Sequence, residues 1–283
     1  MIQSLFSGVS GMLANQTEMD VIGDNIANAN TDGYKAATAN FESSFEQVTS
    51  AATANQPVGL AVGLGVNVGS TVTNFTQGVF QTTNVPTDMG INGNGWFTVQ
   101  TVGGTNLLTR DGDFVEDSSG YLRTPDGGYL MGVTGTTAPT TPTAGAPPDK
   151  IQIPTTITGI GGATTPVVSF AVDSTGAVSV TGQDGSTATV GFITVQSFSN
   201  NNGLVDLGNN YYQYAAAAGT NQYFQASQAG AGTIQTGVLE ASNVDLSTEF
   251  ANMIIAQRGF EASAKVITTS DEMLQTVTNL KQS

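Results

Sequence analysis

The densest group of chemistry-bearing side chains is DGDFVED at 111–117, with three aspartates and one glutamate in seven residues. Carboxylates so placed could ligate calcium or act as an acid–base pair. A calcium loop needs a ligand at its fifth position and glycine at its sixth, and here those are Val115 and Glu116, so the pattern fails. A hydrolytic carboxylate pair is defined by its separation in space, which spacing along the chain does not fix. The chain has no Cys and no His, which removes thiol nucleophiles, disulfides, imidazole bases and the usual zinc sites. GLGVNVG at 63–69 lacks the third glycine of a dinucleotide fingerprint, and GINGNGWF at 90–97 precedes strand-like rather than helix-like sequence. None of the four lysines follows a phosphate-binding glycine loop. The expectation is a protein that is not an enzyme, with no cofactor and no metal, whose acids serve surfaces and turns.

Bulk charge narrows the partners. Twenty-two Asp and Glu stand against seven Lys and Arg, for a formal charge of −15 over 283 residues. That excludes a basic nucleic-acid footprint and disfavours anionic membranes. No apolar run approaches the ~20 residues of a membrane span. MIQSLFSGVSGML at the start has neither a basic leader nor a small-residue cleavage site, so no conventional signal peptide is expected. The absence of Cys suits a protein that passes into an oxidising exterior. Hydrophobic residues make up 39% of the chain, enough for real cores.

The elements with the strongest pattern are at the two ends. From about Val244 to Leu280, apolar residues recur at steps of three and four: Leu246, Phe250, Met253, Phe260, Ile267 and Leu274. Ile2, Leu5, Val9, Met12, Met19 and Ile26 show the same spacing, widened by Phe6, Leu13 and Ile22. This is the period of amphipathic helices, and these twelve spaced residues form the expected assembly seam. Gly8, Gly11 and Gly23 weaken the first helix by roughly 1 kcal/mol each, yet glycine lets a neighbouring backbone approach. Gln16 and Gln257 fall on the two seams, where buried polar groups can fix register. NANTDGYK at 28–35 stops the first helix, with Gly33 able to take positive φ. Asp245, or alternatively Ser242, caps the second. Glu261 and Lys265 are spaced as an exposed supporting pair. Both helices carry mainly acidic polar faces, the reverse of what a membrane-surface helix prefers.

Between the ends the period changes to two. Runs such as Val66–Val72, Trp96–Val99, Tyr129–Met131, Val167–Val172 and Thr189–Val195 are rich in Val, Thr and aromatics and are joined by Gly, Asn and Asp turns. The expected fold is a mainly β body with discontinuous N- and C-terminal helices pairing as a coiled coil. Residues 1–30 and 243–283 are the paired helices. Residues 31–133 and 167–242 form the β body, with an extended arm at 42–62. Residues 134–166 are a Pro/Thr/Gly-rich surface excursion or a reduced outer domain. Two helices alone cannot cover both stripes, so apolar surface is left for other copies.

The ends also carry a resemblance. LFSGVSGMLANQTEMDVIGDNIANANTDGYKA (5–36) and LEASNVDLSTEFANMIIAQRGFEASAKVITTSDEMLQTVTNLK (239–281) resemble the terminal signatures of the bacterial flagellar rod and hook family. FTQGVFQTTNVPTDMGINGNGWFTV (75–99), LTRDGDFVEDSSGYLRTPDGGYLMG (108–132) and LVDLGNNYYQ (204–213) are similar to that family's β body. Asp24 stands where the family usually has Asn. The resemblance implies a flagellar axial architecture and a structural protein without catalysis. It further implies export, uncleaved, through the flagellar type III export apparatus and self-polymerisation into a helical tube whose interior the terminal helices line. Other rod, hook-cap and junction proteins are the implied partners, and the basal body and hook outside the cytoplasm the implied location. Within the family the terminal motifs favour a hook subunit, building a curved tube that carries motor torque to the filament. A distal rod subunit, building a straight drive shaft, is the alternative, since the chain is short and the 134–166 region small. A secreted β-rich binding module is the alternative from another class.

Overall fold

The helix α1 (Ile2–Ala27) ends where the sequence predicts, and α2 (Leu246–Gln282) begins directly after its cap. Asp245 Oδ1 accepts the Ser247 N–H at 2.9 Å and Oδ2 accepts the Thr248 hydroxyl at 3.1 Å, which satisfies donors the first turn leaves open. The computed structural model describes residues 2–44, 46–50, 60–135, 143–144, 149–158, 164–228 and 230–282. The chain divides into two compact units. One comprises 1–29, 35–74 and 244–283; the other comprises 30–34 and 75–243.

In the first unit α1 and α2 pack against each other in antiparallel fashion. Ser4 Oγ lies 3.2 Å from Ser270 Oγ. A Cβ added to Gly8 would stand 3.0 Å from Ile267 Cγ1, and one on Gly11 would stand 2.9 Å from Ser263 Oγ. On the facing helix, a Cβ added to Gly259 would stand 2.5 Å from Asn15 Oδ1. Partner numbers fall along α2 as they rise along α1, which defines both direction and register. A strand, Ala37–Ser43, follows α1 and pairs antiparallel with Val66–Thr73, and this ribbon lies along α1. Asn25 locks the junction: its Nδ2 donates to Ala37 O at 2.8 Å, and its Oδ1 accepts the Ala37 N–H at 2.9 Å. Beyond the ribbon, Glu46–Ser50 pairs with Leu60–Gly63. The middle of the arm expected at 42–62, residues 51–59, lies outside the described residues.

The second unit is the β body. Its pairings are all antiparallel, as short strands joined by tight turns require. Trp96–Gln100 is central: Phe97 pairs with Thr109, Val99 with Leu130, and Val195 with Phe97 from the other side. Phe97, Phe114, Leu122, Leu130 and Ile193 are fully buried, and the Phe97 and Phe114 rings meet edge to face at 5.4 Å. A smaller cluster joins Phe75, Trp96 and Tyr212. The Pro/Thr/Gly-rich region expected at 134–166 divides. Residues 136–142, 145–148 and 159–163 lie outside the described residues, whereas 149–158 contributes to the body. Ile151, Ile153 and Ile157 are buried in its core, because their odd-numbered spacing puts them on one face of an extended chain. Two return strands close the unit: Thr233–Thr236 on Met89–Asn92, and Val238–Glu240 on Phe80–Thr82.

Candidate assembly surface

The closest helix contact is made mainly by small and polar residues, with Ile267 the large apolar side chain that meets Gly8. Ser4, Gly8, Gly11 and Asn15 face Ser270, Ile267, Ser263 and Gly259, and Ala256 beside them is fully buried. Such side chains let two backbones approach until their peptide surfaces touch, so packing replaces bulk as the source of attraction. Asn15 brings an amide to this contact, and its Nδ2 donates to Gly11 O at 2.6 Å. Gln16 and Gln257, expected on the seams, are exposed instead. The small residues carry the same three-and-four spacing as the apolar stripe, and that spacing was the signal for them in the sequence.

Of the expected seam residues, Ile267 meets Gly8 within this contact, and the others whose side chains are described lie beside it. Leu5, Met12, Met19 and Ile26 on α1 are half-buried, as are Met253, Phe260, Ile267 and Leu274 on α2. Val9, Leu246 and Phe250 are exposed. Ile2 belongs to α1, but its side chain lies outside the described residues. Further apolar side chains stand in solvent: Phe6 (66%) and Leu13 (58%) join Val9 on one face of α1, and Ile255 (66%), Met273 and Val277 lie on α2. Exposed apolar side chains grouped on one helix face, as Phe6, Val9 and Leu13 are, suit an interaction site. Since Ser4 lies opposite Ser270, the stretch of α2 from Leu274 onward runs past the start of α1. Glu249 in the first turn of α2 is buried, whereas Arg258 and Glu261 remain at the surface. Glu261 pairs with Arg258 at 2.7 Å, three residues before it, rather than with Lys265.

The body contains a buried ion pair. Arg110 Nη1 lies 3.3 Å from Glu240 Oε2, with side-chain exposures of 5% and 0%. Arg110 also donates to Ile91 O and Gly93 O, at 3.3 and 2.9 Å, and its guanidinium lies 5.4 Å from the Trp96 ring centroid. Glu240 Oε1 accepts the Gly78 N–H at 2.9 Å. Burial pulls the Arg110 pKa down, and the Glu240 charge opposes this. The pair joins residues 130 apart in sequence, so it clamps the last strand of the body just before the chain leaves for α2.

In DGDFVED, Phe114 enters the core and Val115–Glu116 forms a short strand, while the aspartates beside them accept backbone N–H groups. Asp111 Oδ1 accepts the Asp113 N–H, and Asp117 Oδ1 accepts the N–H groups of Ser119 and Tyr121. Among the described residues no group of three or more Asp and Glu is placed to hold a metal ion, and no helix is long and apolar enough to cross a membrane.

Three family models match the chain. Residues 5–35 match flagella basal body rod protein, 90–180 the flagellar hook protein FlgE/F/G D1 domain, and 235–280 the C-terminal part of flagellar basal body rod FlgEFG proteins. The flagellar basal-body rod protein FlgG of Bacillus subtilis (strain 168) is 38% identical over 288 residues, covering all of both chains. That of Borreliella burgdorferi is 34% identical, again over the full length of both. The flagellar hook protein FlgE of the same Borreliella is 26% identical over 445 residues, spanning 99% of this chain and all of that protein. The chain belongs to the flagellar rod and hook family, and is a structural component of the flagellar axis rather than an enzyme.

Proposed function

We propose that the chain is a distal rod subunit, which polymerises through its terminal helices into a straight tube that carries torque across the cell envelope. The observation that carries this reading is the end-to-end match to rod proteins: 38% identity with no large insertion on either side. Alignment to the hook protein needs 445 positions for a 283-residue chain, so that protein carries well over a hundred residues without counterpart here. This sets the rod above the hook that the terminal motifs favour. The exposed faces of α1 and α2 supply the surface a helical polymer needs. A repeated heterologous contact, one patch on a different patch of the next copy, builds an open helix. The other rod proteins, the hook and the type III export apparatus are the further partners that this reading implies.

Assembly of the purified chain, followed by sedimentation and electron microscopy, tests self-association. Phe6→Asp and Ile255→Asp are expected to leave the β body melting as in the parent chain while abolishing tubes. Glu261→Gln, on the polar face of α2, is expected to assemble normally. Tubes of normal yield from both aspartate variants would refute assembly through these faces.

A further inference from the structure

The turn 30–34, immediately after α1, belongs to the β body rather than to the helical unit. Three body segments hold it. The Gly33 N–H donates to Glu240 O at 2.7 Å, and Asn210 Nδ2 donates to Asp32 O at 2.8 Å. The turn's backbone also rests on the Arg110–Asp111 peptide: Gly33 has φ +71°, and a Cβ added there would stand 2.7 Å from Asp111 N. Only glycine combines this conformation with this closeness.

The turn is seated among negative charge. Asp32 is on the turn itself, and Asp88, Asp111, Asp113 and Asp126 interact with it or with one another from the body. The phenol of Tyr211, bonded to Thr124 Oγ1 at 3.1 Å, also faces Asp111 and Asp126. The one guanidinium beneath, Arg110, is already engaged by Glu240. Lys35, the next residue after the turn, belongs to the helical unit.

We propose that this turn is a proton-sensitive latch, gripping the body more tightly when the carboxylates crowded around it take up protons. Burial first, then the neighbouring Asp113, Asp32 and Asp126 charges, raises Asp111 to about 6, while a bond from the Asp113 backbone opposes the rise. Burial also raises Asp32 and Asp113, with repulsion from the neighbouring aspartates adding to it. A carboxyl raised in the docked state holds its proton there at pH values where the undocked group has lost it. Docking therefore strengthens as pH falls from about 7 towards the ordinary carboxylate range, and is weakest and constant above that window. The latch does not depend on whether the subunit builds a rod or a hook.

Amide hydrogen exchange of residues 30–34 in the full chain, corrected for intrinsic rates, tests the latch between pH 5 and 8. Protection of the Gly33 amide is expected to rise up to about tenfold from pH 7 to 5, the limit set by Asp111 regaining its ordinary pKa on undocking. Asp111→Asn keeps an oxygen for the Asp113 N–H, and is expected to raise protection at pH 7 and remove at least half of the slope. Asp32→Asn is expected to reduce the slope from the other side of the contact. Asp206→Asn, an exposed acid on the body, is expected to change nothing. A flat profile in the parent chain, or an Asp111→Asn slope equal to the parent's, would overturn the latch.

Discussion

Glu240→Ala is expected to destabilise the β body by about 3–5 kcal/mol, the cost of leaving a buried partner charge uncompensated. The truncation strands the Arg110 guanidinium in a site where its own side chain is 5% exposed, and removes the acceptor of the Gly78 N–H. Glu240→Gln keeps an acceptor for Gly78 and is expected to cost less. The double variant Arg110→Met with Glu240→Leu is expected to recover part of the loss, because no charge is left buried and Ile91 O retains Gln77 Nε2 as a donor at 2.8 Å, while the Gly78 N–H and Gly93 O still lose their partners. Thermal unfolding followed by the fluorescence of Trp96, the single tryptophan, reads all three. A Glu240→Ala variant as stable as the parent would show that the pair does not clamp the final strand.

Gly8→Leu is expected to force α1 and α2 apart, at a cost of about 1–3 kcal/mol or more for overpacking a closed contact. Even the first added carbon would stand 3.0 Å from Ile267 Cγ1 and 3.3 Å from Ser263 O. Gly259→Leu is expected to act alike from the other helix. Gly23→Ala is expected to do the opposite. A Cβ there meets nothing within 4 Å, so the gain in helix propensity, about 1 kcal/mol, is realised in full. Melting of the helical signal in circular dichroism measures the three together. If all three glycines tolerate substitution equally, the close backbone approach is not what pairs the helices.

Much of this architecture was legible from period alone. Steps of three and four marked both helices, and alternation of Val, Thr and aromatics marked the body strands. The face of contact was not legible. On each helix a stripe of small residues runs beside a stripe of large apolar ones at the same spacing, so periodicity alone does not choose between them. Hydrophobicity chose the larger side chains, and Val9 and Phe250 proved exposed while Gly8 and Ala256 are buried. In a subunit built to meet other copies, apolarity marks surface that awaits burial as well as surface already buried. The Arg110–Glu240 clamp was hidden for another reason: long separation along the chain carries no local signal. NTDGYK read correctly as a helix stop, but its seat on the body depends on three segments that only the fold brings together. Rod and hook share the motifs at both ends, and the short chain with its small 134–166 region points, as the full-length match to rod proteins does, to the proposed rod.

The shape and place of the native tube distinguish the proposed straight rod from a curved hook. Gold-labelled antibody raised against this chain, imaged by electron microscopy on isolated flagellar bases and on intact cells, reports both. The rod reading predicts label on a straight shaft crossing the cell envelope, inaccessible on intact cells. Label along curved tubes outside the envelope would contradict it and return the assignment to the hook.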